Sequence, residues 1–238
     1  MRNVLITGAS RGIGKEMVYE FSKNGDRVFL NYNKSGDKAE KIAEETGAVS
    51  IKADISKADE VKKMAEFIHN NYGGIDVIIN NVGISQIKLF TDINENDWDN
   101  MFDINVKGMF LVTKAFIGDM INKKKGRIIN ISSMWGITGG SCEVHYSASK
   151  AAVIGFTKAL AKELGPSGIN VNCVAPGVID TEMNSHLSEE DLEQLKEETP
   201  LCRIGSVGDV AKTVLFLSSD NADFITGQVI SVDGGMVI

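Results

Sequence analysis

Short apolar runs punctuate the chain at residues 4–6, 27–30, 49–53, 77–80, 127–131, 170–174 and 228–232, several of them rich in Val and Ile. Runs this short, apolar at consecutive positions, predict strands buried on both faces. Between them, over residues 13–24, 57–71, 97–122, 146–164 and 208–218, apolar residues recur at three- and four-residue spacing, the period of a helix with one buried face. Strand and helix alternate almost to the end. The alternation predicts an α/β fold, doubly wound, with a mostly or wholly parallel seven-stranded sheet covered on both sides. No linker, repeat or low-complexity tract interrupts it, so residues 1–238 are expected to form a single domain.

Two segments break the rhythm. Residues 85–96 show no clear period, and residues 178–204 are polar and acidic, containing the helix-prone stretch SEEDLEQLKEE. Ligands of doubly wound folds sit outside the carboxyl ends of the strands, which makes 178–204 a candidate substrate lid. A plain solvated helix over 188–198 is the other reading.

Composition narrows the function classes. Apolar residues make up 43% and charged residues 24%, a globular rather than a disordered balance. Lys plus Arg number 25 against 32 Asp plus Glu, a net charge of −7, which argues against nucleic acid or an anionic membrane as partner. No apolar run approaches the ~18 residues of a membrane span, and a strand beginning near Asn3 leaves no room for a signal peptide, so a cytoplasmic protein is expected. Cys142, Cys173 and Cys202 are odd in number and without a CxxC, which suits a reducing compartment and neither a disulfide framework nor a zinc site. The three prolines, Pro166, Pro176 and Pro200, all fall late, so the earlier strands and helices are free of proline breaks.

The chemistry begins at Thr7-Gly8-Ala9-Ser10-Arg11-Gly12-Ile13-Gly14, between the first strand and the first helix. Glycines there allow a tight turn and close approach, while the helix start offers N–H groups to a pyrophosphate, as in a Rossmann-type domain. The second strand ends Asn31-Tyr32-Asn33-Lys34, without the acid that an unphosphorylated adenosine ribose calls for. Arg11 and Lys34 would instead balance a 2′-phosphate, which points to NADPH and its oxidised form NADP+; a solvated loop lysine is the plainer reading of Lys34. Farther along, Tyr146 and Lys150 stand four apart on a predicted helix and share a face. A free tyrosine has a pKa of about 10, and a neighbouring ammonium favours its phenolate. Ser132-Ser133 closes the fifth strand shortly before.

These motifs together resemble the short-chain dehydrogenase/reductase family over essentially the whole chain: TGASRGIG, Asp54, NNVG ending at Gly83, Asn105, Ser133, YSASK, PGVIDT and the closing ITGQVISVDGG. Val82 departs from the alanine usual in NNAG. The resemblance implies that Tyr146 protonates a substrate carbonyl oxygen as the nicotinamide delivers hydride to its carbon. Ser133 would polarise that oxygen, Lys150 would lower the tyrosine pKa and hold the cofactor ribose, and Asn105 would anchor a water leading to solvent. Along the cofactor it implies Gly8, Ser10, Arg11, Gly12, Ile13 and Gly14 at the phosphates, with Asn31 and Lys34 at the second strand. Asp54 and Ile55 would meet the adenine, and Asn81, Val82 and Gly83 would run along the adenosine. Pro176, Gly177, Ile179 and Thr181 would lie at the nicotinamide. No metal is implied, and His69, His145 and His186 lack ligand-like spacing; His145 and Cys142 read as structural. A homotetramer is implied, formed through the helices at 97–122 and 146–164 and through the last strand.

Within the family, SRGIG, GFTKALAKELGPSGINVNCVAPG and ADFITGQVISVDGG are most similar to bacterial 3-oxoacyl-[acyl-carrier-protein] reductases, which implies a ketone carried on acyl carrier protein. Lys123-Lys124-Lys125-Gly126-Arg127 is the candidate dock, solvated lysines being the alternative, and Ser167-Gly168 lacks a second basic site common in that group. Another stretch, WGITGGSCEVHYS, resembles reductases of the 5-aminopentanone modification on elongation factor P, where Glu143 would pair with a cationic amine. A third reading, an idle dinucleotide-binding sensor, is opposed by the intact set of Asn105, Ser133, Tyr146 and Lys150.

Overall fold

Seven segments rich in Val and Ile form strands: β1 (Asn3–Ile6), β2 (Arg27–Tyr32), β3 (Val49–Lys52), β4 (Val77–Asn80), β5 (Gly126–Ile131), β6 (Ile169–Pro176) and β7 (Val229–Val232). The computed structural model describes residues 1–184 and 187–237. Among these the strands make one wholly parallel sheet in the order β3-β2-β1-β4-β5-β6-β7. The helices are α1 (Gly12–Lys23), α2 (Gly36–Thr46), α3 (Ala58–Tyr72), α4 (Glu95–Phe102), α5 (Gly108–Lys123), α6 (Trp135–Thr138), α7 (Val144–Leu164), α8 (Glu189–Glu198) and α9 (Val207–Leu217).

Successive strand residues point to opposite faces, and both faces are buried, so neighbours along a strand join different cores. Val4, Ile6, Val77, Ile79, Ile129 and Ile131 pack with Met17, Val18 and Phe21 of α1 and with Val210 and Val214 of α9. Leu5, Phe29, Ile78, Ile128 and Val171 pack on the other side with Val61, Met64 and Ile68 of α3 and Val112, Phe116 and Met120 of α5. This is the Rossmann-type arrangement that consecutive apolar positions predict.

Three elements differ from the sequence reading. Helix α2 was not foreseen, because only Ala39 and Ile42 are buried on it and the rest of its surface is polar. The long helix expected over 97–122 is two helices joined by a π-turn, Asp103–Lys107, that carries Asn105. A Cβ at Gly108, the first residue of α5, would lie 2.8 Å from the Ile55 side chain, so the helix crosses close to the β3 exit. One-turn α6 follows Ser133 directly. Helix α8 forms where SEEDLEQLKEE predicts it, is capped by Ser188 and Asp191, and has no buried residue. Ser185 and His186 lie outside the described residues, and with them the reading of His186.

The candidate carrier-protein dock lies at the other end of the sheet. Residues 123–127 surround the amino end of β5, opposite the carboxyl-end crevice that Ser133 borders. Three of its four cations also pair within the chain. Lys123 Nζ is 2.7 Å from Asp76, Lys125 Nζ is 3.2 Å from Asp220, and buried Arg127 pairs with Asp223. The cluster clasps neighbouring loops.

Phe116 is fully buried between the sheet and α3. Phe116→Ala is expected to lower the unfolding free energy by about 3–5 kcal/mol through lost transfer and an unfilled cavity, read as a drop in the urea midpoint.

Candidate active site

The sheet order reverses between β1 and β4, so their carboxyl ends open a crevice. Thr7 and Asn81 tie its two walls together. Thr7 Oγ1 accepts from Asn81 N at 3.0 Å, and Asn81 Nδ2 donates to Thr7 O at 3.0 Å and to Gly8 O at 3.2 Å. Gly8 and Gly12 have φ of +63° and +53°, conformations that favour glycine. A Cβ at Gly14 would come within 2.5 Å of Gly8 O and 2.7 Å of Asn81 Nδ2, so only glycine lets α1 begin this close to the loop. No side chain caps the α1 N-terminus at Arg11, leaving its N–H groups for an anion. The loop therefore fits the diphosphate of a dinucleotide.

Across the crevice, β5 delivers Ser133 and α7 delivers Tyr146 and Lys150. All three are buried, at 8%, 8% and 3% exposure. The Ser133 hydroxyl, which accepts from Trp135 N at 3.2 Å, lies close enough to the Tyr146 phenol to act on its ionisation. Lys150 Nζ donates to Ile131 O at 3.0 Å and stands 5.7 Å from the centre of the Tyr146 ring. A Cβ at Gly83 would approach Lys150 Nζ to 2.9 Å, so glycine keeps the β4 exit clear of the ammonium. Asn105 locks that exit from below. Its Oδ1 accepts from Ile84 N at 2.9 Å, while Nδ2 donates to Ile84 O at 2.9 Å and to Ser149 Oγ at 3.0 Å. Ile84 carries no motif signal and Ser149 enters only within YSASK; the fold brings both to Asn105.

Residues 8–237 match the family described as enoyl-(acyl carrier protein) reductase. The chain is 42% identical over 240 residues to the 3-oxoacyl-[acyl-carrier-protein] reductase of Staphylococcus epidermidis, covering 99% of this chain and 98% of that protein. It belongs to the short-chain dehydrogenase/reductase family. Similar enzymes from Aquifex aeolicus (43%, covering 98% of this chain and 96% of that one) and Synechocystis (42%, with the same coverages) bear the same 3-oxoacyl reductase name. As a member of the family, the chain is an oxidoreductase that converts a ketone to a secondary alcohol.

The other expected cofactor residues of this reductase surround the same crevice in different capacities. Ser10, Arg11, Gly12 and Thr181 line a cavity of about 470 Å³ beside α1. Val82 Cγ2 lies 2.8 Å from where a Gly8 Cβ would stand, so the departure from alanine packs against the glycine loop. Ile13 packs against the core beneath. Asp54 Oδ1 accepts from Ser56 N and Ser56 Oγ, and Ile55 is buried under α5. Asn31 is 1% exposed, with its amide donating to Ala53 O at 3.0 Å, and its own carbonyl accepts from Ala9 N at 2.9 Å. It braces the glycine loop through the main chain. Pro176 and Gly177 continue the β6–β7 pairing, and Ile179 bridges to Gly205. Lys34 is exposed. The cation brought to Arg11 is Lys38, on the helix α2 that the apolar pattern left unmarked: Glu182 lies 3.6 Å from Arg11 and 2.7 Å from Lys38. His145 is fully buried, with Nε2 2.9 Å from Gln86 Oε1, and His69 pairs with Asp119 at 2.8 Å.

Burial pushes the Tyr146 phenol up to about 12; the Ser133 hydroxyl opposes this and the Glu143 carboxylate reinforces it. The Lys150 ammonium donates to the Ile131 carbonyl and stands to the side of the phenol ring. The phenol is thus held protonated, as an acid. Burial pushes Lys150 itself down, from 10.5 to about 8. Between those two values the unfolded chain binds more protons than the native one, so this group makes stability rise with pH across the window. The unfolding free energy of the wild type minus that of Lys150→Met is expected to increase between pH 8 and pH 10 in urea titrations. A flat difference contradicts the buried ammonium.

Proposed function

We propose that this protein is an NADPH-dependent carbonyl reductase whose substrates are 3-oxoacyl thioesters carried on acyl carrier protein, reduced to 3-hydroxyacyl thioesters. The observation that carries the reading is the buried grouping of Ser133, Tyr146 and Lys150 at the carboxyl end of β5. The dinucleotide, when bound, supplies the hydride. The chain's own residues do the rest. Two hydroxyls, of Ser133 and Tyr146, meet one substrate oxygen, and Tyr146 gives up its proton to that oxygen as negative charge develops there. This suits a C=O bond better than the C=C bond of an enoyl substrate, in keeping with the relatives named 3-oxoacyl reductases. Lys150, positively charged below about pH 8, stabilises the tyrosinate left behind and holds the ribose hydroxyls. Asn105 keeps the Ile84 main chain and Gly83 beside the lysine and anchors the water through which its proton is resupplied. Gly8, Gly12, Gly14 and the α1 N-terminus hold the diphosphate; Asp54, Asn81 and Val82 flank the adenosine, and Ile179 and Thr181 hold the carboxamide. A single cytoplasmic domain assembled as a homotetramer completes the reading, supported by the exposed Phe110 and Ile121 on α5 and Phe224 just before β7.

A second reading has its own support. Glu143 acts electrostatically on the Tyr146 hydroxyl, so its charge is felt at the reacting oxygen. That charge opposes tyrosinate and is of no use to a neutral acyl chain, whereas it would pair with a ketone bearing an ammonium, such as the 5-aminopentanone group on elongation factor P.

Tyr146→Phe is expected to lower kcat by at least about 10²-fold, with the NADPH Kd changed less than about twofold, measured by fluorescence titration. Retained turnover overturns the mechanism; a wild type that binds NADPH tightly but reduces no activated ketone favours the idle sensor. The substrate is decided by kcat/KM for an acetoacetyl thioester against elongation factor P carrying the ketone. A higher value for the thioester is expected, and a higher value for the protein-bound ketone selects the second reading.

A further inference from the structure

Residues 181 and 182 cross the outer rim of the glycine loop. Thr181 Cγ2 lies 3.6 Å from where a Gly12 Cβ would stand, and Glu182 reaches past it to two cations from separate elements. Its Oε1 is 2.7 Å from Lys38 Nζ, in the first turn of α2, and its Oε2 is 3.6 Å from Arg11 Nη1, at the start of α1. The carboxylate sits in the cavity of about 470 Å³ that Lys15 and Lys41 also line. Four cations against the carboxylates of Glu45 and Glu182 make this a positive recess in a chain of net charge −7. Glu45 is already engaged by the Tyr19 hydroxyl, which donates to it. Lys38, then Arg11, hold the Glu182 carboxyl below the usual carboxylate range, so it is ionised at neutral pH.

The recess opens beyond the carboxyl end of β2, where Asn31-Tyr32-Asn33 offer no acid to a free ribose 2′-hydroxyl. Both ion pairs of Glu182 are more than half exposed, at 57% and 56% for Lys38 and Glu182 and 62% for Arg11. Pairs this wet are weak and easily exchanged. A phosphate brings more charge and three acceptor oxygens to the same donors.

We propose that Glu182 occupies, in the cofactor-free protein, the Arg11–Lys38 cation pair that receives the 2′-phosphate of the dinucleotide, making Lys38 a phosphate ligand and Glu182 an internal competitor that sets selectivity between phosphorylated and unphosphorylated cofactors. A dinucleotide with a 2′-phosphate displaces the carboxylate; one without it gains nothing from the cations and leaves Glu182 in place. The displacement also releases Thr181 and Glu182 from the loop rim, so the adenosine end of the cofactor acts on the segment that follows β6. The proposal rests on the NADPH reading above.

The test is isothermal titration of the full chain with adenosine 2′,5′-bisphosphate and with adenosine 5′-monophosphate. Glu182→Gln should tighten the bisphosphate about two- to fivefold, the range of exposed ion pairs, and leave the monophosphate within about twofold. Lys38→Gln should weaken the bisphosphate by a similar factor, and in that background Glu182→Gln should have a smaller effect, as expected for coupled sites. A wild type that binds both nucleotides equally overturns the NADPH reading and this proposal with it. A wild type that prefers the bisphosphate, with Glu182→Gln unchanged or weaker, overturns the competitor alone. Circular dichroism of the variants, both at exposed positions, checks that each remains folded.

Discussion

A lysine ammonium without access to water governs the layout of the catalytic half of the molecule. Removing a charge from water is costly unless hydrogen bonds replace the lost solvent. Lys150 finds its acceptor in the Ile131 carbonyl, at the point where β5 ends. That requirement propagates. The β4 exit must bend past the ammonium without a side chain, hence Gly83, and must be held from moving, hence the paired hydrogen bonds from Asn105 to the Ile84 main chain. Gly136 in α6 is constrained in the same way, since a Cβ there would lie 2.8 Å from the Lys150 main-chain carbon and 2.6 Å from Ser132 Oγ. Charge burial, loop path and helix packing are one problem with one solution.

Most of the scaffold could be read from the chain because strands buried on both faces announce themselves as unbroken apolar runs. Ile78 and Ile79 belong to different cores yet are adjacent in sequence, and no other common arrangement yields that pattern. Helix α2 escaped because it buries little, so its period is faint. The π-turn escaped for a different reason: residues 103–107 have ordinary helical composition, and only the demand of Asn105 for the Ile84 backbone selects the extra residue in the turn. In the site, Ser133, Tyr146 and Lys150 were legible from spacing and chemistry. The raised Tyr146 phenol was not, since desolvation depends on what surrounds a group in space. Nor was Glu182, whose partners lie on two other elements and carry no motif.

Charge is distributed with more purpose than its total suggests. A net −7 coexists with a recess where cations outnumber carboxylates, and with basic residues at the opposite end of the sheet that are matched one by one to Asp76, Asp220 and Asp223. In the first place the positive charge is held by exposed, exchangeable pairs. In the second Arg127 is buried against Asp223, while Lys125 meets Asp220 at the exposed surface. The two ends of the parallel sheet therefore differ in kind: one is open to ligands and the other closes the structure.

Helix α8 contributes no buried residue, and its capping box, Ser188 with Asp191, is local to itself. Its sequence is consequently free of the packing demands that hold α1, α5 and α7 in place. A part of the molecule that follows β6 can thus diverge without eroding the fold. Lineages built on one catalytic framework can acquire different ketones by rewriting such a stretch, which is how broad kinship in chemistry comes to coexist with divergence in diet.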